Sequence, residues 1–176
     1  MKTLLVSILA CLPVFAADQA PPELVAVKAA CGPGDVEFNV KSGKVQPPAL
    51  QPEPGKGLVY VVEEYDGPPV KPTVKVGLDG AWVGANRGTS YMSFPIEPGE
   101  HHLCAEWQIG RTLSPISRTV SLTSLKVEAG QTYYLRARFL LVGRNFPYRL
   151  DFDKIDSDQG RLLVGASPLS AYQAKK

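Results

Sequence analysis

Hydrophobic and polar residues alternate with a period of two along most of the chain from Gly57 onward, which is typical of β-strands. Residues 58–62 are almost continuously apolar and β-branched, which predicts a strand that is covered on both faces. Residues 73–78 alternate and predict a half-buried strand. The Asp79-Gly80 pair after them suits the two positive φ angles of a type I′ hairpin turn.

The same reasoning extends over the rest of the chain and determines the fold class. Further strands are predicted at 36–40, 81–83, 90–96, 101–108, 116–127, 132–140 and 148–152. Eight or nine short strands at intervals of about a dozen residues predict an all-β protein of one domain. The expected architecture is an antiparallel β-sandwich of immunoglobulin-like or transthyretin-like type.

Short segments at the two ends of the sandwich carry the remaining predictions. Residues 23–30 are expected to form a brief helix, and the proline-rich residues 41–56 a linker. Near the C-terminus, Gln159-Gly160 is interpreted as a turn before a last extended segment at 161–164. The tail from Ser167 is expected to hold one helical turn.

The N-terminus has the layout of a secretory signal peptide. A lysine precedes a short apolar run, and small residues lead to an expected cleavage between Ala16 and Ala17. The chain then divides into a signal peptide (1–16), an N-terminal segment (17–56), the β-sandwich (57–166) and a C-terminal tail (167–176). Export to the periplasm or the medium is predicted. The alternative is a lipoprotein anchored through Cys11, although the residues around Cys11 match a lipobox only loosely.

Two of the three cysteines, Cys31 and Cys104, remain after removal of the signal peptide. Neither has a second cysteine at the short spacing of a metal site, and an even pair in an exported protein predicts a disulfide. In the strand around Cys104, Leu103 and Ala105 share one face while His102 and Cys104 share the other. The bridge is therefore expected on the side of the sheet away from the main core.

Composition and charge exclude several classes of function. The chain has 19 Lys and Arg against 17 Asp and Glu, and a net charge of only +2 argues against charge-driven binding of nucleic acid. No apolar run reaches the ~18 residues that a transmembrane helix needs.

Candidate catalytic and metal-binding residues are few. His101 and His102 are the only histidines, and adjacent strand residues point to opposite faces, so they are not expected to share one metal or task. The acidic run from Asp151 to Asp158 lacks the glycine and glutamate spacing of an EF-hand, and residues 156–160 are interpreted as a polar turn with weak calcium binding as a minor alternative. No serine nucleophile motif is present. No enzyme, cofactor or metal site is predicted.

Several motifs resemble a family of bacterial exported proteins that is defined as a domain of unknown function and includes many lipoproteins. The motifs are residues 57–61, Asp79-Gly80, Tyr91, the Pro98-Gly99-Glu100-His101 turn and the AGQTYYLR run at 129–136. The resemblance covers about 100 residues, from Gly57 to Gly160. The resemblance implies a β-sandwich and gives no information about an activity.

Three functions follow as hypotheses. The first is a non-catalytic cell-envelope module that binds another protein, with an exposed edge strand accepting a partner strand. The second is a carbohydrate-binding module in which Trp82 and Tyr91 form a flat aromatic platform. The third is a hydrolase with an unrecognised site, which would be revealed by turnover that is abolished when His101 or Asp153 is replaced. Burial of the Trp82 ring discriminates between the first two, because a buried indole cannot stack on a sugar.

Overall fold

The computed structural model describes residues 22–43, 51–65, 71–108, 119–141 and 148–175. Strands account for 58% of the structure and helices for 16%, which confirms the predicted all-β class. The strands are β1 (Phe38–Ser42), β2 (Gly57–Glu64), β3 (Thr73–Leu78), β4 (Ala81–Arg87), β5 (Ser90–Ile96), β6 (Gly99–Trp107), β7 (Val120–Val127), β8 (Thr132–Leu141), β9 (Tyr148–Ile155) and β10 (Ser170–Ala174). The helices are α1 (Pro22–Ala30) and α2 (Ser157–Ala166).

Two four-stranded sheets pack face to face as the predicted sandwich. The first sheet has the order β4-β3-β6-β7, and all its neighbours are antiparallel. The second has the order β5-β2-β8-β9. Its β2 and β8 run parallel, which the expectation of purely antiparallel pairing missed. Between these two strands the chain crosses to the first sheet and back twice, and it re-enters beside β2 in the same direction.

The main core lies between the sheets. It is filled by the alternate residues of the strands that point inward. Strand β2 is buried along seven of its eight residues, which confirms the prediction of a strand covered on both faces. Each large aliphatic side chain in this core contributes about 1.5–3 kcal/mol through burial. The core residues are Val59, Val61, Val74, Val76, Met92, Phe94, Ile96, Leu103, Ala105, Leu125, Val127, Leu135, Ala137, Leu150 and Phe152.

Helix α2 covers the outer face of the second sheet and corrects the prediction for residues 156–164. Instead of a turn and an extended segment, Asp156 caps a helix: its Oδ1 accepts 2.9 Å hydrogen bonds from the backbone N–H groups of Asp158 and Gln159. These two bonds lower the pKa of Asp156. The helix packs onto Tyr134, so closely that a Cβ at Gly160 would lie 2.1 Å from Tyr134 Cγ.

Beside α2, the same outer face carries a ladder of ion pairs. Arg136 Nη2 lies 3.1 Å from Asp153 Oδ2, and Arg138 Nη2 lies 3.1 Å from Asp151 Oδ2. Both pairs are directly opposite each other in the β8–β9 register, as the alternation of these strands predicts. Each contributes a few tenths of a kcal/mol (~0.2–1).

The N-terminal segment is fastened to the outer face of the first sheet. Cys31 and Cys104 form a disulfide across the side opposite the main core, as predicted. Lys75, only 2% exposed, donates a hydrogen bond to the Val36 carbonyl and pairs with Glu106 at 3.1 Å. The side-chain amide of Gln108 makes two hydrogen bonds to the backbone of Phe38: its Oε1 accepts from the Phe38 N–H, and its Nε2 donates to the Phe38 carbonyl. A disulfide of this kind is typical of a protein that works outside the cytoplasm.

Strands β1 and β10 form a separate two-stranded ribbon that closes one side of the sandwich. Phe38 and Val40 of β1 pack against Ala85 of β4. The hydroxyl groups of Ser90 and Ser170 lie 2.8 Å apart, which joins β10 to β5. The C-terminal tail is thus a strand, and the expected helical turn after Ser167 is wrong. The pairing partner of β10 is more than a hundred residues away, so no local pattern indicates it.

Candidate functional site

Three of the four edges of the sandwich are protected. The β1–β10 ribbon lies against β4, and the backbone N–H of Tyr91 in β5 donates to the Pro168 carbonyl at 3.0 Å. Strand β9 carries charged residues at half of its positions, namely Arg149, Asp151, Asp153 and Lys154. Charged side chains on an edge strand discourage pairing with another chain.

The fourth edge, β7, has none of these protections within the part of the chain that the structure describes. Its sequence, VSLTSLKV, contains a single charge, Lys126, and no proline. Among the described residues β7 pairs only with β6, so its far side presents backbone N–H and C=O groups without a strand partner there. Leu125 and Val127 of this strand lie in the core, and Leu122 lies on the outer face, 39% exposed.

A cavity of about 370 Å³ lies on the outer face beside this edge. One wall is helix α1, through Ala26, Ala29 and Ala30, and the other is formed by β7 residues 122–124 and by His102 of β6. The lining is mostly aliphatic. The cavity runs along the edge strand, and we call it the α1–β7 groove.

Helix α1 is apolar but largely exposed. Its sequence is PELVAVKAA, and of its nine residues only Ala30 is buried. Leu24 and Val25 remain 40% and 55% exposed. A surface helix normally buries an apolar stripe against its own protein, and contiguous exposed apolar surface marks interaction sites. The groove is therefore bordered by apolar surface on its helical side.

The aromatic platform predicted from Trp82 and Tyr91 is not formed. Tyr91 has no exposed surface and lies under α2 with Tyr60 on the second sheet, so its ring is not accessible to a ligand. Trp82 is partly buried on the first sheet. Its Nε1 donates to the Pro33 carbonyl at 2.7 Å, and Lys75 Nζ lies 4.2 Å from the ring centroid. Trp82 thus anchors the N-terminal segment.

His101 forms part of a polar cluster at the β3–β4 hairpin. Asp79 and Gly80 have φ angles of +48° and +82°, which agrees with the predicted turn. Asp79 Oδ2 lies 2.6 Å from His101 Nδ1, and Asp79 Oδ1 accepts from the backbone N–H of His102. His101 Nε2 lies 2.8 Å from the Glu97 carbonyl oxygen. Both ring nitrogens are therefore engaged, and the cluster ties two turns together.

For both His101 and Asp79, burial and hydrogen bonding shift the pKa of the side chain in opposite directions. Burial lowers the pKa of His101, but the bonds to Asp79 and Glu97 outweigh it and raise the pKa above 6.5. Burial raises the pKa of Asp79, but the bonds from His101 and the His102 N–H outweigh it and lower the pKa below 3.8. The histidine contribution to stability is complete below pH 6.5 and is lost as the pH rises through the raised pKa.

We expect His101→Ala to lower the free energy of unfolding by about 1 kcal/mol at pH 6 and by markedly less at pH 9. Urea unfolding at the two pH values measures the difference. His102→Ala is the matched control, because its backbone N–H contacts Asp79 whatever its side chain. If His101→Ala lowers the free energy of unfolding equally at both pH values, the prediction that His101 forms a charged pair with Asp79 is wrong.

A different polar residue, Glu63, is completely buried between the sheets. Its Oε1 accepts a 3.1 Å hydrogen bond from the Gly88 N–H. Asn86, also buried, donates to the Val61 carbonyl at 2.9 Å. Glu63 Oε2 and Asn86 Oδ1 have no hydrogen-bond partner within the described ranges. Burial raises the pKa of Glu63 well above its ordinary value, and the Gly88 bond offsets only part of this effect.

Comparisons with known proteins add no relative, since no family model, no curated protein and no solved structure matches the chain. Within the part of the chain that the structure describes, no group of three or more His, Cys, Asp or Glu side chains is placed to hold a metal ion. No helix among those residues is long and apolar enough to cross a membrane. Cys11, Ala16 and Ala17 lie outside the described residues.

Sequence reasoning identified the strands that border the α1–β7 groove but not the groove itself. The helix near residues 23–30 and the outward-facing Cys104 were both predicted. The signal that was missed is the contrast between the edge strands: residues 120–127 have one charge, whereas residues 148–155 alternate charged and apolar positions. That contrast has meaning only when both segments are known to be edges.

Proposed function

We propose that this protein is an exported, non-catalytic β-sandwich module of the bacterial cell envelope that binds another protein by accepting a strand at β7. The observation that carries the proposal is the β7 edge: it is eight residues long, has one charge and pairs on one side only among the described strands. Addition of a partner strand satisfies the backbone groups of such an edge.

Export is supported by the signal-peptide pattern of residues 1–16 and by the Cys31–Cys104 disulfide. The mature chain begins at Ala17 in this proposal, in the periplasm or the medium, and lipidation of Cys11 is the alternative. The non-catalytic character is supported by His101, the one histidine paired with a carboxylate, because both of its ring nitrogens are already engaged.

Site-specific photo-crosslinking in intact cells tests the strand-addition proposal. A benzoylphenylalanine at Ser124, on the exposed face of β7, is expected to form adducts with a partner protein. The same probe at Arg149, exposed on the charged β9 edge, is the matched control and is expected to form at least about tenfold fewer. Absence of adducts at Ser124, or equal yields at both positions, would overturn the proposal.

A further inference from the structure

We propose that the α1–β7 groove binds an uncharged, extended segment of the partner protein and selects for one short aliphatic side chain, which enters the cavity beside α1. This inference rests on the proposed function and specifies its ligand. The partner segment becomes the fifth strand of the first sheet, next to β7.

The edge strand determines that the ligand is extended. Backbone N–H and C=O groups along a strand edge repeat with the spacing of another strand, so an extended chain pairs with all of them and a helix does not. A new strand beside β7 continues the pleat of the sheet. Alternate side chains of that strand then project onto the outer face, on the same side as Leu122 and α1.

The lining of the groove determines that the ligand is uncharged and aliphatic at this position. Ala26, Ala29 and Leu122 supply a mostly apolar surface. A carboxylate or ammonium placed against these three side chains loses water and gains no ion pair from them, which is costly. His102 lines the strand side of the groove and is the one ionisable side chain among the lining residues. The cavity of about 370 Å³ is ample for valine, isoleucine or leucine, because all three of its helical residues are alanines.

The groove is held open by covalent and steric constraints at the C-terminal end of α1. Cys31, the residue after the helix, is bonded to Cys104 of β6. The end of the helix lies so close to β3 that a Cβ at Gly77 would be 2.7 Å from the Ala30 carbonyl oxygen. The helix is therefore fixed relative to the sheet before any ligand binds, which reduces the entropic cost of binding.

The test uses nuclear magnetic resonance titration of the mature, disulfide-bonded protein labelled with ¹⁵N. The probe is the peptide acetyl-Thr-Val-Thr-Val-Thr-Val-amide, with the Thr-Glu analogue and a version methylated on alternate backbone nitrogens as comparisons. We expect shifts at β7 and at Ala26 and Ala29 with the valine peptide, and affinity lower by at least about tenfold for both comparison peptides.

Two helix variants separate the cavity from the edge. Ala26→Leu places a larger side chain in the cavity beside α1, where the ligand side chain would lie, and is expected to weaken binding of the valine peptide about tenfold. Val25→Leu changes the neighbouring exposed residue, which does not line the cavity, and is expected to leave binding within about twofold. Both substitutions lie on an exposed, helix-favouring surface, and equal melting temperatures confirm that both variants fold.

Failure of this inference is distinguishable from failure of the proposed function. If Ser124 forms crosslinks but Ala26→Leu binds the peptide as well as wild type, strand addition stands and selection by the cavity is overturned. Shifts at β9 alone, or no binding of any peptide, also overturn it. A concentration-dependent dimer that pairs β7 with β7 of a second copy would assign the edge to self-association and overturn it as well.

Discussion

Replacing both Cys31 and Cys104 with alanine is expected to lower the free energy of unfolding by about 4 kcal/mol. The bridge joins residues that are 73 positions apart, so it removes a large loop entropy from the unfolded chain. It also lies in a buried cluster with Ala30, where Cys104 has no exposed surface. Urea unfolding of the oxidised protein and the double variant measures the difference through tryptophan fluorescence.

Reduction provides the internal control for this experiment. A reducing agent is expected to bring the wild-type protein to the stability of the double variant and to leave the variant itself unchanged. A loss below about 1 kcal/mol would show that packing of Ala30 and Val27 holds α1 without the bridge. The double variant is also expected to bind the valine peptide more weakly at temperatures where it is folded, because α1 is no longer tied to β6.

The parts of the fold that the sequence predicts are those that depend on local patterns. Alternation at Leu103 and Cys104 assigned one residue to the core and the other to the opposite face, and both assignments are confirmed. The Asp79-Gly80 pair indicated its turn through a requirement for positive φ. In each case the determining contact is made by neighbours in sequence, so the information is present in a short window.

Helix α2 was missed although a local signal for it exists. Asp156 and Gln159 have the spacing of a capping box, in which an acidic residue at the N-cap precedes a glutamine three positions later. Gly160 and Gly165 inside the helix lower its intrinsic propensity and resemble turn residues. Gly160 is explained only by tertiary structure, because Tyr134 occupies the space that a Cβ would need.

The candidate site lies beyond local prediction for a related reason. The α1–β7 groove combines Ala26 and Ala29 with Leu122, which are almost a hundred residues apart in the chain. Its status as a site depends on which strands are edges, and strand order depends on crossovers such as the parallel pairing of β2 with β8. The Trp82 and Tyr91 platform was wrong for the same reason, since the two rings lie on different sheets.

Glu63→Gln is expected to stabilise the protein at pH 8 and to have almost no effect at pH 4. Glu63 is fully buried, and among the described residues only the Gly88 N–H donates a hydrogen bond to its carboxylate. Its directly opposite neighbours, Ser90 of β5 and Ala137 of β8, carry no charge. Glutamine keeps the acceptor for Gly88 and replaces the unpartnered oxygen with an amide that donates, as the protonated acid does.

The sign follows from the raised pKa of Glu63. The stability that the neutral carboxyl group permits is fully present below the unfolded pKa of about 4.5 and is lost as the pH rises through the folded value. We therefore expect the free energy of unfolding of Glu63→Gln to exceed that of the wild type by about 1–3 kcal/mol at pH 8 and to match it within about 0.5 kcal/mol at pH 4. Urea unfolding at the two pH values gives both numbers.

Glu64→Gln is the matched control, because it makes the same chemical change one residue along the strand at an exposed position. Glu64 Oε2 lies 3.5 Å from Arg136 Nη1 and its side chain is 46% exposed, so its loss is expected to cost less than about 1 kcal/mol at either pH. If Glu63→Gln fails to stabilise at pH 8, or stabilises equally at both pH values, the buried carboxylate is solvated in the folded protein and the energetic account of this core position is wrong.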